Sequence, residues 1–391
     1  MFENQNTKEN NNINRNRNMQ KLSRIGFIVI ISILLTSCKV GRFIVYNFAD
    51  IKDYKKFPSR PLVSNETKFK FDSTETGKYP KFLKVGKTQK STLIEKILED
   101  NKTVAFLIIK NDTIQYEKYF KGYSKESIIP SFSMAKSFTS ILIGCAIDEG
   151  LIKSIDEPIV KFIPELQKNG FDKVTIKHLL QMTSALKFSE SYINPFGEAA
   201  SFYYGRNLKH EISKLKLKGE PGQKFEYVSG NPQLLGLILE RVLKTKTITQ
   251  YFQEKIWTPL EMEYDGSWSI DRKNNGIEKT FCCVNARARD FAKIGRLYLN
   301  KGKWNGKQIV SQKWVEESTK IDTTEGSDEG YQYQWWLPSN NGDFMAEGIL
   351  GQFVYVNPAE NTVIVRMGKN YGHINWSDLF ILLSKYKPKK N

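Results

Sequence analysis

The run Ser133-Met134-Ala135-Lys136-Ser137-Phe138-Thr139-Ser140-Ile141-Leu142-Ile143-Gly144-Cys145-Ala146-Ile147-Asp148-Glu149, wound as a helix, is apolar almost all round, and Gly150 suits its C-terminal cap. A helix of that kind is buried centrally. It opens on Ser133-Met134-Ala135-Lys136, and the i, i+3 spacing sets the serine hydroxyl and the lysine amine on one face. A helix N-terminus adds positive potential and free N–H groups, suited to a developing oxyanion. Burial lowers a lysine's pKa and lets its amine act as a base. The spacing alone equally describes an N-cap serine beside a lysine snorkelling to solvent. It recurs at Ser184/Lys187, Ser213/Lys216 and Ser384/Lys387, but only Ser133 opens an apolar helix.

Outward from this helix, strands are expected at both ends of the chain and helices between. Thr103–Ile109 and Ile114–Phe120 flank Lys110-Asn111-Asp112-Thr113 and read as a hairpin. Residues 151–290 read mainly as helix: one opens at Val174-Thr175-Ile176, another at Asn231-Pro232 with Asn231 as cap, and Asp290 is expected to cap Phe291–Asn300. Strands return at Tyr331–Leu337, Phe344–Val356 and Thr362–Met367, before a last helix at Trp376–Tyr386. This order predicts an α/β fold: one antiparallel sheet built from both ends of the chain, flanked by helices, with an inserted helical lobe. Residues 38–90 read as a tether and N-terminal arm, 91–391 as the folded unit and about 151–290 as its lobe.

Two further segments suit nucleophilic chemistry. Tyr227, in Phe225-Glu226-Tyr227-Val228-Ser229-Gly230-Asn231, precedes the helix at Pro232. Near a buried lysine its phenol is expected to ionise and shuttle a proton; otherwise it is a packing residue. Gly348-Ile349-Leu350-Gly351-Gln352 lies in a strand-like run, where glycine marks either close approach of a ligand or a β-bulge. An edge N–H there is a candidate oxyanion donor.

The N-terminus reads as an export signal. Lys8, Arg15, Arg17, Lys21 and Arg24 precede the apolar run 25–35, which ends in Leu35-Thr36-Ser37-Cys38. Eleven residues suit a signal-peptide core better than a membrane span. Small residues directly before a cysteine resemble the lipobox of bacterial lipoproteins, which implies cleavage after residue 37 and acylation of Cys38 as an anchor in the bacterial envelope. Residues 1–37 carry five Lys/Arg and two Glu, so their removal lowers the net charge of +17 by three, to +14. Because the basic residues are dispersed on an exported chain, a membrane-side surface property is expected and nucleic acid is not. Three scattered histidines, and no cysteine pair at zinc-ligand spacing, predict neither a metal nor a cofactor. Cys145, Cys282 and Cys283 are expected to form no disulfide.

Taken together, Ser133-Met134-Ala135-Lys136, Tyr227-Val228-Ser229 and Ala346-Glu347-Gly348 resemble the S-x-x-K, Y-x-N/S and K/H-x-G motifs of the serine β-lactamase-like hydrolases. That superfamily spans penicillin-binding proteins, class C β-lactamases, esterases and 6-aminohexanoate-dimer hydrolase. Val174–Ser184 and Ala288–Gly295 resemble two further blocks of the family in the expected order, and His178 falls in the first without a catalytic role. The resemblance implies that Ser133 is the acylated nucleophile and Lys136 takes its proton. It implies that Tyr227 serves as base and acid, that Ser229 orders Lys136 and Tyr227, and that the backbone N–H groups of Ser133 and Ile349 form the oxyanion hole. Gly348 and Gln352 are placed as site support. Ala346 stands where a cation is usual, and the implied β-lactam-carboxylate contact is lost with it. The expectation is therefore an ester or amide hydrolase acting on a small-molecule or peptide-like substrate, with a penicillin-binding protein, a β-lactamase or a non-catalytic envelope-binding protein as alternatives.

Overall fold

The computed structural model describes residues 19–27, 41–42, 48–73, 79–84, 91–192, 194 and 196–387. Cys38 and most of the expected export signal lie outside them. No described helix is long and apolar enough to cross a membrane.

In chain order, the elements that position the site begin with β1 (Ser59–Leu62), β2 (Asp72–Ser73), α1 (Ile94–Asp100), β3 (Thr103–Lys110), β4 (Thr113–Tyr119), β5 (Ile129–Pro130) and α2 (Met134–Asp148). They continue with α3 (Gly230–Leu243), β6 (Gly266–Ser269), β7 (Val284–Ala286) and α4 (Ala288–Leu299). The C-terminal set is β8 (Tyr331–Gln332), β9 (Trp335–Trp336), β10 (Phe344–Gly348), β11 (Gln352–Asn357), β12 (Thr362–Gly368) and α5 (Trp376–Ser384).

An eight-stranded sheet runs β8-β9-β10-β11-β12-β3-β4-β2. Its centre joins the two ends of the chain, with Ile364 opposite Ile108 and Val365 opposite Leu107. Every pairing in it is antiparallel except the two-residue edge β2, which runs parallel to β4. Helices cover both faces, so β3, β11 and β12 are near-continuous apolar runs. On one face Phe106, Ile108, Tyr355 and Ile364 meet α1 and α5 through Ile97, Leu98, Leu379 and Phe380. On the other, Leu107, Val354, Val363 and Val365 share a core with α2 and α4. Gly295 lets α4 approach closely: a Cβ there would stand 2.7 Å from Val363.

The 151–290 segment is less purely helical than expected. It supplies β6 and β7 to a second sheet, β1-β6-β7-β5, which β1 from the N-terminal arm completes. Other local expectations are corrected too. The runs 331–337 and 344–356 each break into two strands, because Tyr333 and Gln334 take φ +36° and +73° and Leu350 and Gly351 take +67° and +78°. The Gly348–Gln352 segment is therefore a hairpin turn. Helix α3 begins at Gly230, and Asn231 does not cap it: its carboxamide accepts from the Ser184 hydroxyl at 2.5 Å. Asp290 is not a cap either; it accepts from the Glu263 amide at 2.7 Å within a helix that began at Ala288. Cys282 and Cys283 are bonded to each other, against expectation. Cys283 takes φ +77°, a left-handed turn that brings the adjacent sulfurs together.

Candidate active site

Helix α2 is buried continuously from Met134 to Ala146. Ser133 precedes it in helical conformation and makes no side-chain capping bond. Its Oγ instead accepts from Lys136 Nζ at 2.9 Å, and the same Nζ donates to the Phe281 carbonyl at 2.9 Å. Lys136 is 1% exposed and Ser133 8%. The lysine therefore does not snorkel, and the serine is not spent as a cap. Burial pulls the Lys136 amine down to about 8, with Glu190 opposing the shift.

Lys136 Nζ sits 5.0 Å from the centre of the Tyr227 ring. Tyr227 is partly buried, stacked on Trp336 at 5.4 Å and edge-on to Tyr331 at 5.9 Å. Burial pushes its phenol well above the ordinary value; a hydrogen bond with Ser133 pulls the other way, while Glu190 and Glu347 add to the rise. Burial first, and the neighbouring carboxylates after it, favour the phenol over the expected phenolate at Tyr227.

Gly348 ends β10 against the nucleophile's own backbone. A Cβ at Gly348 would lie 2.4 Å from the Ser131 carbonyl oxygen and 3.1 Å from the Ser133 nitrogen. Ile349 follows directly, so the turn after β10 and the start of α2 face each other. Ser133, Tyr227, Gly348 and Ile349 border one cavity of about 200 Å³, with Trp336 and Tyr371 as aromatic walls.

Of the two remaining expectations, the one for Ser229 is changed. Ser229 does not order Lys136 or Tyr227 by hydrogen bonding. Its amide and hydroxyl donate to Glu190 at 2.7 and 2.6 Å. Gln352 is fully buried beneath the turn: its amide nitrogen donates to the Gly368 carbonyl at 2.7 Å, and its oxygen accepts from the Gly368 amide at 3.1 Å. It pins the hairpin to β12 and holds the turn in place. His178 stays outside the site, as expected, with its ring accepting from the Thr175 amide in a capping box.

Glu190, Glu347, Tyr192 and Tyr371 were not singled out in the sequence, yet all four line the cavity. Tyr192 donates to Glu190 at 2.6 Å and Tyr371 to Glu347 at 3.0 Å. Only Glu347 carried a signal: it occupies the middle position of the third motif. Among the described residues no cluster of His, Cys, Asp or Glu could hold a metal ion.

A family model described as Beta-lactamase matches residues 91–370. The 6-aminohexanoate-dimer hydrolase of Paenarthrobacter ureafaciens is 27% identical over 296 residues, covering 70% of this chain and 74% of that protein. A solved Bacillus anthracis structure bearing the 6-aminohexanoate-dimer hydrolase name superposes with a TM-score of 0.77 at 25% identity, over 88% of this chain and 94% of its own. A family VIII carboxylesterase shares the fold, with a TM-score of 0.56 at 17% identity over 72% of this chain and 90% of its own.

Proposed function

The chain belongs to the Beta-lactamase family of serine hydrolases, and on that premise we propose that it cleaves an ester or amide bond through an acyl-enzyme on Ser133. The observation that carries this reading is the 2.9 Å contact from Lys136 Nζ to Ser133 Oγ, made by a lysine with almost no solvent exposure. With its amine near 8, about a tenth of the lysine is neutral at pH 7, enough to supply a base.

Neutral Lys136 takes the Ser133 proton as Oγ attacks the carbonyl carbon. The oxyanion is received by the backbone N–H groups of Ser133 and Ile349, on the two segments that Gly348 holds together. Tyr227, still a phenol, gives its proton to the leaving oxygen or nitrogen and recovers one from Lys136. Water then attacks the acyl carbon, loses its proton through the same pair, and releases the acid and free Ser133. The relatives' names support the reaction class: one is a hydrolase of a 6-aminohexanoate dimer and one a carboxylesterase.

The proposal includes export and anchoring through acylated Cys38, supported by the basic segment, the apolar run 25–35 and the small residues before Cys38. Cys38→Ala is expected to move the protein from the membrane pellet to the soluble fraction in cells and to abolish incorporation of labelled palmitate. An unchanged pellet fraction removes the anchor from the proposal.

The catalytic reading is tested with panels of p-nitrophenyl esters and anilides. Ser133→Ala is expected to lower kcat by about a thousandfold or more on every substrate the wild type turns over. Equal rates in the two proteins contradict it.

A further inference from the structure

The charges lining the cavity differ from those that the third motif usually brings. Ala346 stands at its first position, and the next residue is Glu347, beside the glycine packed on Ser133. Glu347 is half-buried, and the phenol of Tyr371 donates to one of its oxygens. Across the cavity Glu190 is fixed by three neutral donors: the Ser229 amide, the Ser229 hydroxyl and the Tyr192 hydroxyl. Both carboxylates border the cavity together with four aromatic rings, Tyr192, Tyr227, Trp336 and Tyr371. Neither Glu190 nor Glu347 forms a salt bridge with an Arg or Lys among the described residues, and the attraction between Glu190 and the Lys136 ammonium acts without direct contact.

Aromatic faces carry negative quadrupole potential, and rings grouped around a space favour an alkylated ammonium that would lose little hydration there. Two carboxylates on the same walls add Coulomb attraction in a partly desolvated site. An anionic group in this space would meet repulsion from both. We propose that the substrate carries a positively charged, alkylated nitrogen close to the scissile bond, held by Glu347, Glu190 and the surrounding rings. This inference rests on the hydrolase reading above and names its substrate class. Glu347 and Glu190 act in it as specificity determinants. Burial already lifts the Glu347 carboxyl above its ordinary value, so a cation beside it relieves a desolvated charge.

The test uses isosteric pairs that differ only in charge. Butyrylcholine against 3,3-dimethylbutyl butyrate places the cation on the leaving alcohol. The p-nitrophenyl esters of 4-(trimethylammonio)butyric acid and 5,5-dimethylhexanoic acid place it on the acyl group. In at least one pair the cationic member is expected to have kcat/KM about tenfold higher or more. That ratio should fall at least severalfold in Glu347→Gln, which retains an acceptor for Tyr371, and in Glu190→Gln. The ratio within each protein is the readout, so a general loss of folded enzyme does not move it. Ratios near one in both pairs overturn the inference. So does a substitution that lowers both members equally, which would mark the carboxylate as a structural or proton-handling group.

A binding arm separates this outcome from failure of the hydrolase reading. Calorimetry with the Ser133→Ala chain should show the cationic ester binding about tenfold more tightly than its neutral isostere. Preferential binding without wild-type turnover would support the charge selection while ending the hydrolase reading. Turnover with no charge preference in rate or binding would do the reverse.

Discussion

Lys136 has two partners for three N–H bonds, the Ser133 hydroxyl and the Phe281 carbonyl, and neither carries a charge. Nothing in direct contact compensates its ammonium, and desolvation therefore outweighs the attraction of Glu190. The amine is charged below its pKa and neutral above it, so kcat/KM is predicted to rise with pH through about 8. The Tyr227 phenol is shifted above its ordinary value, so the alkaline limb lies beyond that of a free tyrosine. A pH–rate profile checks both, and a limb near pH 6 would point to a different base. The same shift bears on stability. Between about 8 and the ordinary lysine value the unfolded chain binds more protons than the folded one, so this group's contribution to stability rises with pH across that window. Gly348 gives a steric prediction at this scale. Gly348→Ala must push the Ser131 carbonyl away from a contact of 2.4 Å, costing about 1–3 kcal/mol of stability and displacing the nucleophile. Thermal unfolding and kcat report the two effects, and wild-type values in both would show that the segments separate freely.

The turn between β10 and β11 is held from below by a buried cation. Arg366 is fully buried and donates to the carbonyls of Gly351 at 2.6 Å, Asn101 at 2.6 Å and Asn370 at 2.8 Å, and to the Thr103 hydroxyl at 3.1 Å. Its guanidinium lies 3.9 Å from the Trp376 ring centre. One side chain thus fixes the turn bearing Ile349 and the segment bearing Tyr371. Arg366→Met keeps apolar bulk but strands those carbonyls, and should lower stability by about 3 kcal/mol or more in a denaturant titration. A shift under about 0.5 kcal/mol would mean that water replaces the guanidinium. In the sequence, Arg366 is the one charged residue in an otherwise mostly apolar strand run, and nothing local shows that its partners are carbonyls from distant turns. The hairpin of β3 and β4, helix α2 and the strands returning at the C-terminus were legible because each is specified by its own local pattern. The breaks at Tyr333-Gln334 and Leu350-Gly351 were not, because three of those four residues are non-glycine residues held at positive φ by their surroundings.

Over the whole molecule, strands from the two ends of the chain meet at the β12–β3 pairing, and α2 brings Ser133 beneath the end of β10. Ser133, Lys136, Tyr227 and Gly348 were readable because each belongs to a short motif of fixed spacing. Glu190 was not: its place in the cavity depends on Ser229, 39 residues further along, and on packing between loops. The same long-range closure replaces the expected role of Ser229 with that of a support for Glu190.

Acylation of Ser133 is the step on which the proposed chemistry turns. Intact-mass and peptide analysis after treatment with a fluorophosphonate should find one adduct per chain on the peptide containing Ser133, with labelling lost in Ser133→Ala. Equal labelling of wild type and Ser133→Ala, or an adduct on another residue, would contradict it.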